Sequence, residues 1–201
     1  YQRLGIGRDE PRADLISDAA LDRVAALAGL DLRRPHLFGF SGRAQFVQRF
    51  AMLNPGRAGS LHLASAGWHT YSNAKAPWPR GCGREAAGTR ILADEAFFHR
   101  LPCHFHVGER DDHRDPALRV GPRIDAQQGL TRLVRASRWV DHLRARRGAG
   151  GAGGVAPTLN ILPGCGHDFA QACAPEHGVL AATVLRDALG HASTLPLRIK
   201  V

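Results

Sequence analysis

The spacing of apolar residues changes period several times along this chain, and each change marks an element. Across 18–29, Leu21, Val24, Ala25, Leu27 and Ala28 share one helical face, with Ser17 or Asp18 as N-cap and Gly29 as stop. His36-Leu37-Phe38-Gly39-Phe40 is apolar but too short for a helix, and reads as a buried strand. Helical spacing returns from Gly42 to Leu53 through Ala44, Phe46, Val47, Phe50 and Ala51, and Asn54-Pro55-Gly56 ends it. Residues 60–66 (SLHLASA) predict a second strand, Cys103–Val107 a third and Thr158–Leu162 a fourth. An aperiodic stretch containing Gly, Pro and Trp fills 67–93, and a short helix is expected around 94–100. One long amphipathic helix is expected over 125–147, using Leu130, Leu133, Val134, Trp139 and Leu143. Residues 148–154 (GAGGAGG) read as a flexible linker, and a helix near 178–189 follows the fourth strand.

Strands that alternate with helices imply an α/β domain, with a mostly parallel sheet covered on both faces. The chain's 201 residues suffice for a single such domain over 1–201. No apolar run reaches the roughly 18 residues a membrane-spanning helix needs. No apolar region follows Tyr1-Gln2-Arg3-Leu4-Gly5, so no signal peptide is read and a cytoplasmic location is expected. The formal charge of +9 raises the question of a nucleic-acid partner. The arginines are spread along the chain, however, except at Arg144-Ala145-Arg146-Arg147, where they suit the negative end of a helix dipole. Without interleaved aromatic residues, neither a nucleic-acid nor a membrane partner is expected. Cys82, Cys103, Cys165 and Cys173 contain no CxxC pair; a bridge between Cys165 and Cys173 is conceivable, which leaves the redox compartment open.

Three segments carry candidate chemistry. Gly39-Phe40-Ser41-Gly42 stands at a strand end immediately before a helix, as a nucleophile elbow requires. The helix that follows aims free N–H groups at the serine, so the Gly42 N–H is a candidate oxyanion donor. Alone, the segment reads about as well as a strand-to-helix turn with a serine cap. Val107-Gly108-Glu109-Arg110-Asp111-Asp112 follows the third strand and offers a carboxylate able to orient an imidazole, although a solvated loop has the same composition. Pro163-Gly164-Cys165-Gly166-His167-Asp168-Phe169 follows the fourth strand, and its glycines let the loop bend the His167 ring back across the sheet edge. All three lie at the C-terminal ends of strands, where open parallel sheets collect ligands, and they occur in the order serine, acid, histidine.

On these residues the sequence resembles bacterial α/β-hydrolases of the serine esterase and polyhydroxyalkanoate-depolymerase type. The similarity runs through LFGFSG, AQFVQRFAMLNP, the AGW turn at 66–68, VGERD, PRIDAQQG with the following R and RW, and LPGCGHDF. The resemblance implies a Ser-Asp-His triad: Ser41 as nucleophile, Asp111 as acid and His167 as general base, with Asp112 and Asp115 as fallback acids. It implies carboxylic ester hydrolysis through an acyl-enzyme, on a small-molecule or polymeric ester, with no cofactor. Phe40, Arg43 and Trp68 become candidate substrate contacts, and 67–93 a candidate cap or pocket wall. Arg43 departs from the family pattern, which has a small residue there; a long cation either strains the elbow or reaches an anionic substrate group. Only four strands are found, matching the last four of the family's roughly eight, so the chain is expected to lack N-terminal strands and the loop carrying the second oxyanion donor. That departure keeps a catalytically incompetent hydrolase-like fragment or binding module as the alternative.

Other constellations are weaker. Cys103, His104 and His106, with Cys165 and His167, are metal-ligand types without zinc-like spacing, so buried strand histidines and no metal are expected. GAGGAGG follows a helix and enters a strand, the reverse of a phosphate loop, and Gly5-Ile6-Gly7 lacks a third glycine. Oligomeric state is not legible.

Overall fold

A computed structural model of the chain describes residues 3–6, 9–83, 101–150, 155–174, 176 and 178–190. Four strands form one sheet: β1 (His36–Phe40), β2 (Ser60–Ala64), β3 (Cys103–Gly108) and β4 (Thr158–Leu162). They are parallel and lie side by side in chain order. Parallel neighbours need a crossover connection, and among the described residues helices lie between β1 and β2 and between β3 and β4.

The pleat gives the two faces different chemistry. Leu37 pairs with Leu61, Leu61 with Cys103, Leu63 with Phe105 and Phe105 with Leu159. These residues form one apolar face. It packs against α2 (Gly42–Leu53) through Ala44, Val47, Ala51 and Met52, and against α4 (Arg132–Gly150) through Trp139, Val140 and Leu143. On the opposite face Phe40 and Leu162 pack with Ala172 of α5 (Phe169–Cys173) and with Leu180 and Val184 of α6 (Val179–Ala188). The middle of that face is not apolar. It carries His62, His104 and His106, whose rings stack with centroids 4.9 Å (His62–His104) and 6.0 Å (His62–His106) apart.

The expected helix over 125–147 is two helices, α3 (Pro122–Gln128) and α4. Gly129 breaks them with φ +101, a conformation open to glycine, and Leu130 is turned outward. The fully buried guanidinium of Arg135 fastens the break: Nε donates to Gly129 O (2.9 Å), Nη1 to Gly67 O (2.6 Å) and Arg119 O (2.9 Å), and Nη2 to Asp125 Oδ1 (2.8 Å). The first helix, α1 (Ala13–Ala28), begins five residues before the expected start at 18, and Gly29 ends it at φ +66. Ser17 and Asp18 are therefore inside it, and Asp18 pairs with Arg57. Its expected apolar face is not covered: Val24 is 49% and Leu27 71% exposed, because no described element packs over them. Within 67–93 the described part, 67–83, is packed inward through Trp68, Tyr71 and Trp78. The helix expected around 94–100 lies outside the described residues. Of the GAGGAGG run, 148–150 continue α4 and 151–154 lie outside the described residues. All four cysteines are free.

Candidate active site

Ser41 stands between β1 and α2 with φ +54 and ψ −118, backbone geometry that side-chain-bearing residues rarely adopt. The turn is tight enough to specify its neighbours. A Cβ on Gly39 would sit 2.6 Å from the carbonyl carbon and oxygen of Arg43 and 2.7 Å from Ala44 N. Ser41 N donates to Ala64 O at 2.8 Å, tying the elbow to the end of β2. Gly42 opens α2, so its N–H is among the first-turn donors that lack an intrahelical acceptor, at the positive end of the helix dipole.

His167 arrives from the loop after β4, which is bound to the loop after β3. Gly164 N donates to Glu109 Oε2 (2.7 Å), and Arg110 N to Cys165 O (2.9 Å). Gly166 N donates to Gln171 Oε1 (3.1 Å), while Asp168 caps α5 by accepting from Gln171 N (2.9 Å). The approach of the two loops depends on Gly108, where a Cβ would lie 2.3 Å from Cys165 O and 2.6 Å from Gly166 O.

The three segments then meet. His167 Nε2 is 3.0 Å from Ser41 Oγ, and His167 Nδ1 is 2.9 Å from Asp111 Oδ2. With the Nδ1–H donated to Asp111, Nε2 turns its lone pair toward the serine hydroxyl, the tautomer a general base needs. Asp111 is fully buried, and its other oxygen accepts from Arg132 Nη1 at 3.1 Å. Arg132, itself 1% exposed, also binds Asp115 through both Nη atoms. Burial works against the Arg132 charge, but its bonds to Asp115 and Asp111 outweigh that and hold its pKa above the ordinary value. The Asp115 carboxyl is lowered to about 2, chiefly by its hydrogen bond from Arg132.

Of the three carboxylates considered from sequence, Asp111 is thus the one that reaches His167. Asp115 is engaged by Arg132, and Asp112 is exposed beside His113. Phe40 stacks on the His167 ring with centroids 5.1 Å apart and packs against Phe169 at 5.4 Å. Phe38, Phe40, Ser41, Gly42, Arg43, Phe46 and Val47 line a depression of about 650 Å³. Arg43 is on its wall, and no carboxylate among the described residues pairs with it. Trp68 is elsewhere. It is buried 4.5 Å beneath the Arg49 guanidinium and beside Arg119, and does not line the depression at Ser41. Sequence reasoning assigned no role to Arg132, Glu109 or Gln171: Arg132 looks solvated until the fold buries it, and the exposed Glu109 and Gln171 act only through partners on other loops.

The fold of the chain is similar to that of several solved structures, two of which show how far the likeness goes. One is poly(aspartic acid) hydrolase-1 from Sphingomonas sp. KT-1, with a TM-score of 0.69 and 24% identity over 87% of this chain and 66% of that one. The other is a poly(3-hydroxybutyrate) depolymerase from Bordetella parapertussis, with a TM-score of 0.68 and 22% identity over 88% of this chain and 61% of that one. The fold is that of the α/β-hydrolases. The chain spans less than two thirds of the length of either of these two proteins. No family model and no curated protein matches the sequence. Among the described residues, no helix is long and apolar enough to cross a membrane.

Proposed function

We propose that the chain is a serine hydrolase that cleaves carboxylic esters through an acyl-enzyme. The observation that carries this reading is the unbroken relay from Ser41 Oγ through His167 to the buried Asp111. His167 takes the Ser41 proton as Oγ attacks the carbonyl, then delivers it to the leaving alcohol; water releases the acyl group by the same route. Asp111 keeps the imidazole in its tautomer and stabilises the imidazolium, and Arg132 holds Asp111 in place. The Gly42 N–H receives the developing oxyanion, a donor worth about 3 kcal/mol of barrier in related chemistry. No step calls for a cofactor.

The walls of the depression favour an apolar acyl group, and Arg43 adds a cation to the lining. The two structural neighbours are named for polymers built from carboxylic acid units, so polymeric esters join small ones as substrates to test. The experiment is labelling of the chain by a fluorophosphonate, with Ser41→Ala beside it. Labelling that vanishes in the variant is expected. A folded, monodisperse chain that fails to label has no activated serine, and the reading then becomes a hydrolase-like fold serving as a binding module.

A further inference from the structure

We propose that His62, His104 and Asp187 form a binding site for a divalent metal of the zinc type, on the sheet face opposite the apolar core. Their ligand atoms all lie within 4.8 Å of one another. Asp187 Oδ2 is 3.2 Å from His62 Nε2 and 3.1 Å from His104 Nε2. All three side chains are largely withdrawn from water, with exposures of 0% for His62, 14% for His104 and 9% for Asp187.

Closeness alone would suit an ion pair, but hydrogen bonding does not account for the arrangement. Neither His104 Nε2 nor Asp187 Oδ2 has a hydrogen-bond partner among the described residues, although both are buried and 3.1 Å apart. Leaving such atoms unpaired in a buried place is unfavourable. A cation between them would use the two imidazole lone pairs and the carboxylate at once.

The donor set suits that ion. Two imidazole nitrogens and one carboxylate oxygen are the mixed N/O ligands that first-row divalent metals accept, and zinc in particular takes four such positions. The fourth position falls to water, since His106, whose ring stacks on His62, is not among the ligand atoms gathered there. Outer contacts that fix ligand rings are present as well. His104 Nδ1 is 2.8 Å from Thr158 Oγ1, while Ser60 Oγ, 3.1 Å from His62 Nε2 and 2.8 Å from His36 Nδ1, would turn wholly to His36 when His62 Nε2 binds the ion. The neighbouring charges are Asp187 itself, Arg186 on the same helix, and His36 across the sheet. Since His62 and His104 belong to β2 and β3 and Asp187 to α6, a bound ion would tether α6 to the centre of the sheet. Its role is structural and separate from the Ser41 site.

The test is titration of the metal-free chain with Zn²⁺ by calorimetry, and with Co²⁺ by visible absorption, which reports coordination geometry directly. One equivalent is expected to bind, with the intense visible bands of a four-coordinate site and a raised thermal midpoint. Asp187→Asn and His104→Gln are expected to weaken binding by at least about tenfold. His113→Asn, at an exposed histidine, and Ser41→Ala are expected to bind as the parent does, so this outcome is independent of catalysis. Absence of saturable binding by the folded parent overturns the proposal and leaves a metal-free His–Asp contact. Binding that survives in Asp187→Asn, or is lost in His113→Asn, overturns it too.

Discussion

Gly108→Ala offers the most searching test of how the His167 loop is held. The added Cβ would meet Cys165 O at 2.3 Å and Gly166 O at 2.6 Å, whereas ordinary contact begins near 3.4 Å. Both obstacles are backbone, so no side chain can rotate away. Gly108 is anchored on its own side by pairing with Leu162 and by accepting from Asp111 N at 3.1 Å. The segment that yields is therefore Cys165-Gly166, by roughly 1 Å, and His167 is the next residue. A displacement of about 1 Å carries the Nε2–Oγ contact beyond hydrogen-bond length and costs on the order of 10²-fold in rate. Forcing the methyl into this space costs about 1–3 kcal/mol of stability. The assay is the second-order rate of fluorophosphonate labelling, read beside the thermal midpoint. Gly121→Ala is the control, since a Cβ there meets nothing within 4 Å. A folded Gly108→Ala chain that labels within about twofold of the parent refutes the reasoning.

Three further outcomes are expected. Arg132→Met leaves the buried Asp111 carboxylate without its cation and lowers stability by about 3–5 kcal/mol, whereas Asp115→Asn, at a partly exposed partner, costs about 1 kcal/mol or less; denaturant unfolding compares them. Arg43→Ala raises KM for a half-ester carrying a free carboxylate while leaving KM for the matched neutral ester nearly unchanged; equal effects on both would remove Arg43 from substrate recognition. His69 is held at about 3, against an ordinary 6.5, by burial and then by the Arg49 and Arg135 charges. The unfolded chain binds that proton and the folded chain does not, so this stability is complete above 6.5 and is lost as pH falls from 6.5 toward 3. Unfolding followed across that range should have a shallower slope in His69→Asn, and an unchanged slope would show that His69 does not contribute.

The elements that positioned the site were legible because short apolar runs bounded by breakers have few alternatives. β1, α2 and β4 fall where the pattern placed them, and with them the order of Ser41, the acid and His167. The segment 125–147 was less legible. Leu130 and Leu133 satisfy helical spacing, and spacing is blind to a positive φ at Gly129 between them. The α1 face misled for the opposite reason: periodicity shows which residues would be buried together, but not whether anything covers them, and Leu27 is left in solvent. Trp68 shows the limit of residue type, since a tryptophan near a site serves equally well as a pocket wall or as the plate beneath Arg49. Arg132 and the grouping of His62 and His104 with Asp187 were not legible, because their meaning lies in burial and in partners far away in sequence; His104, weighed as a ligand type, lacked zinc-like spacing.

The placement of β4 carries a consequence for how such a protein would fail. His167 hangs from the strand at the rim of the described sheet, whose one strand partner there is β3. If that rim strand frays, the base leaves the serine while β1, β2 and most of the core are still intact. Heating or mild denaturant would then silence the chain before it melts, and cooling would restore it. On the proposed function, the same geometry would leave Ser41 without its base during synthesis until β4 has been made and docked.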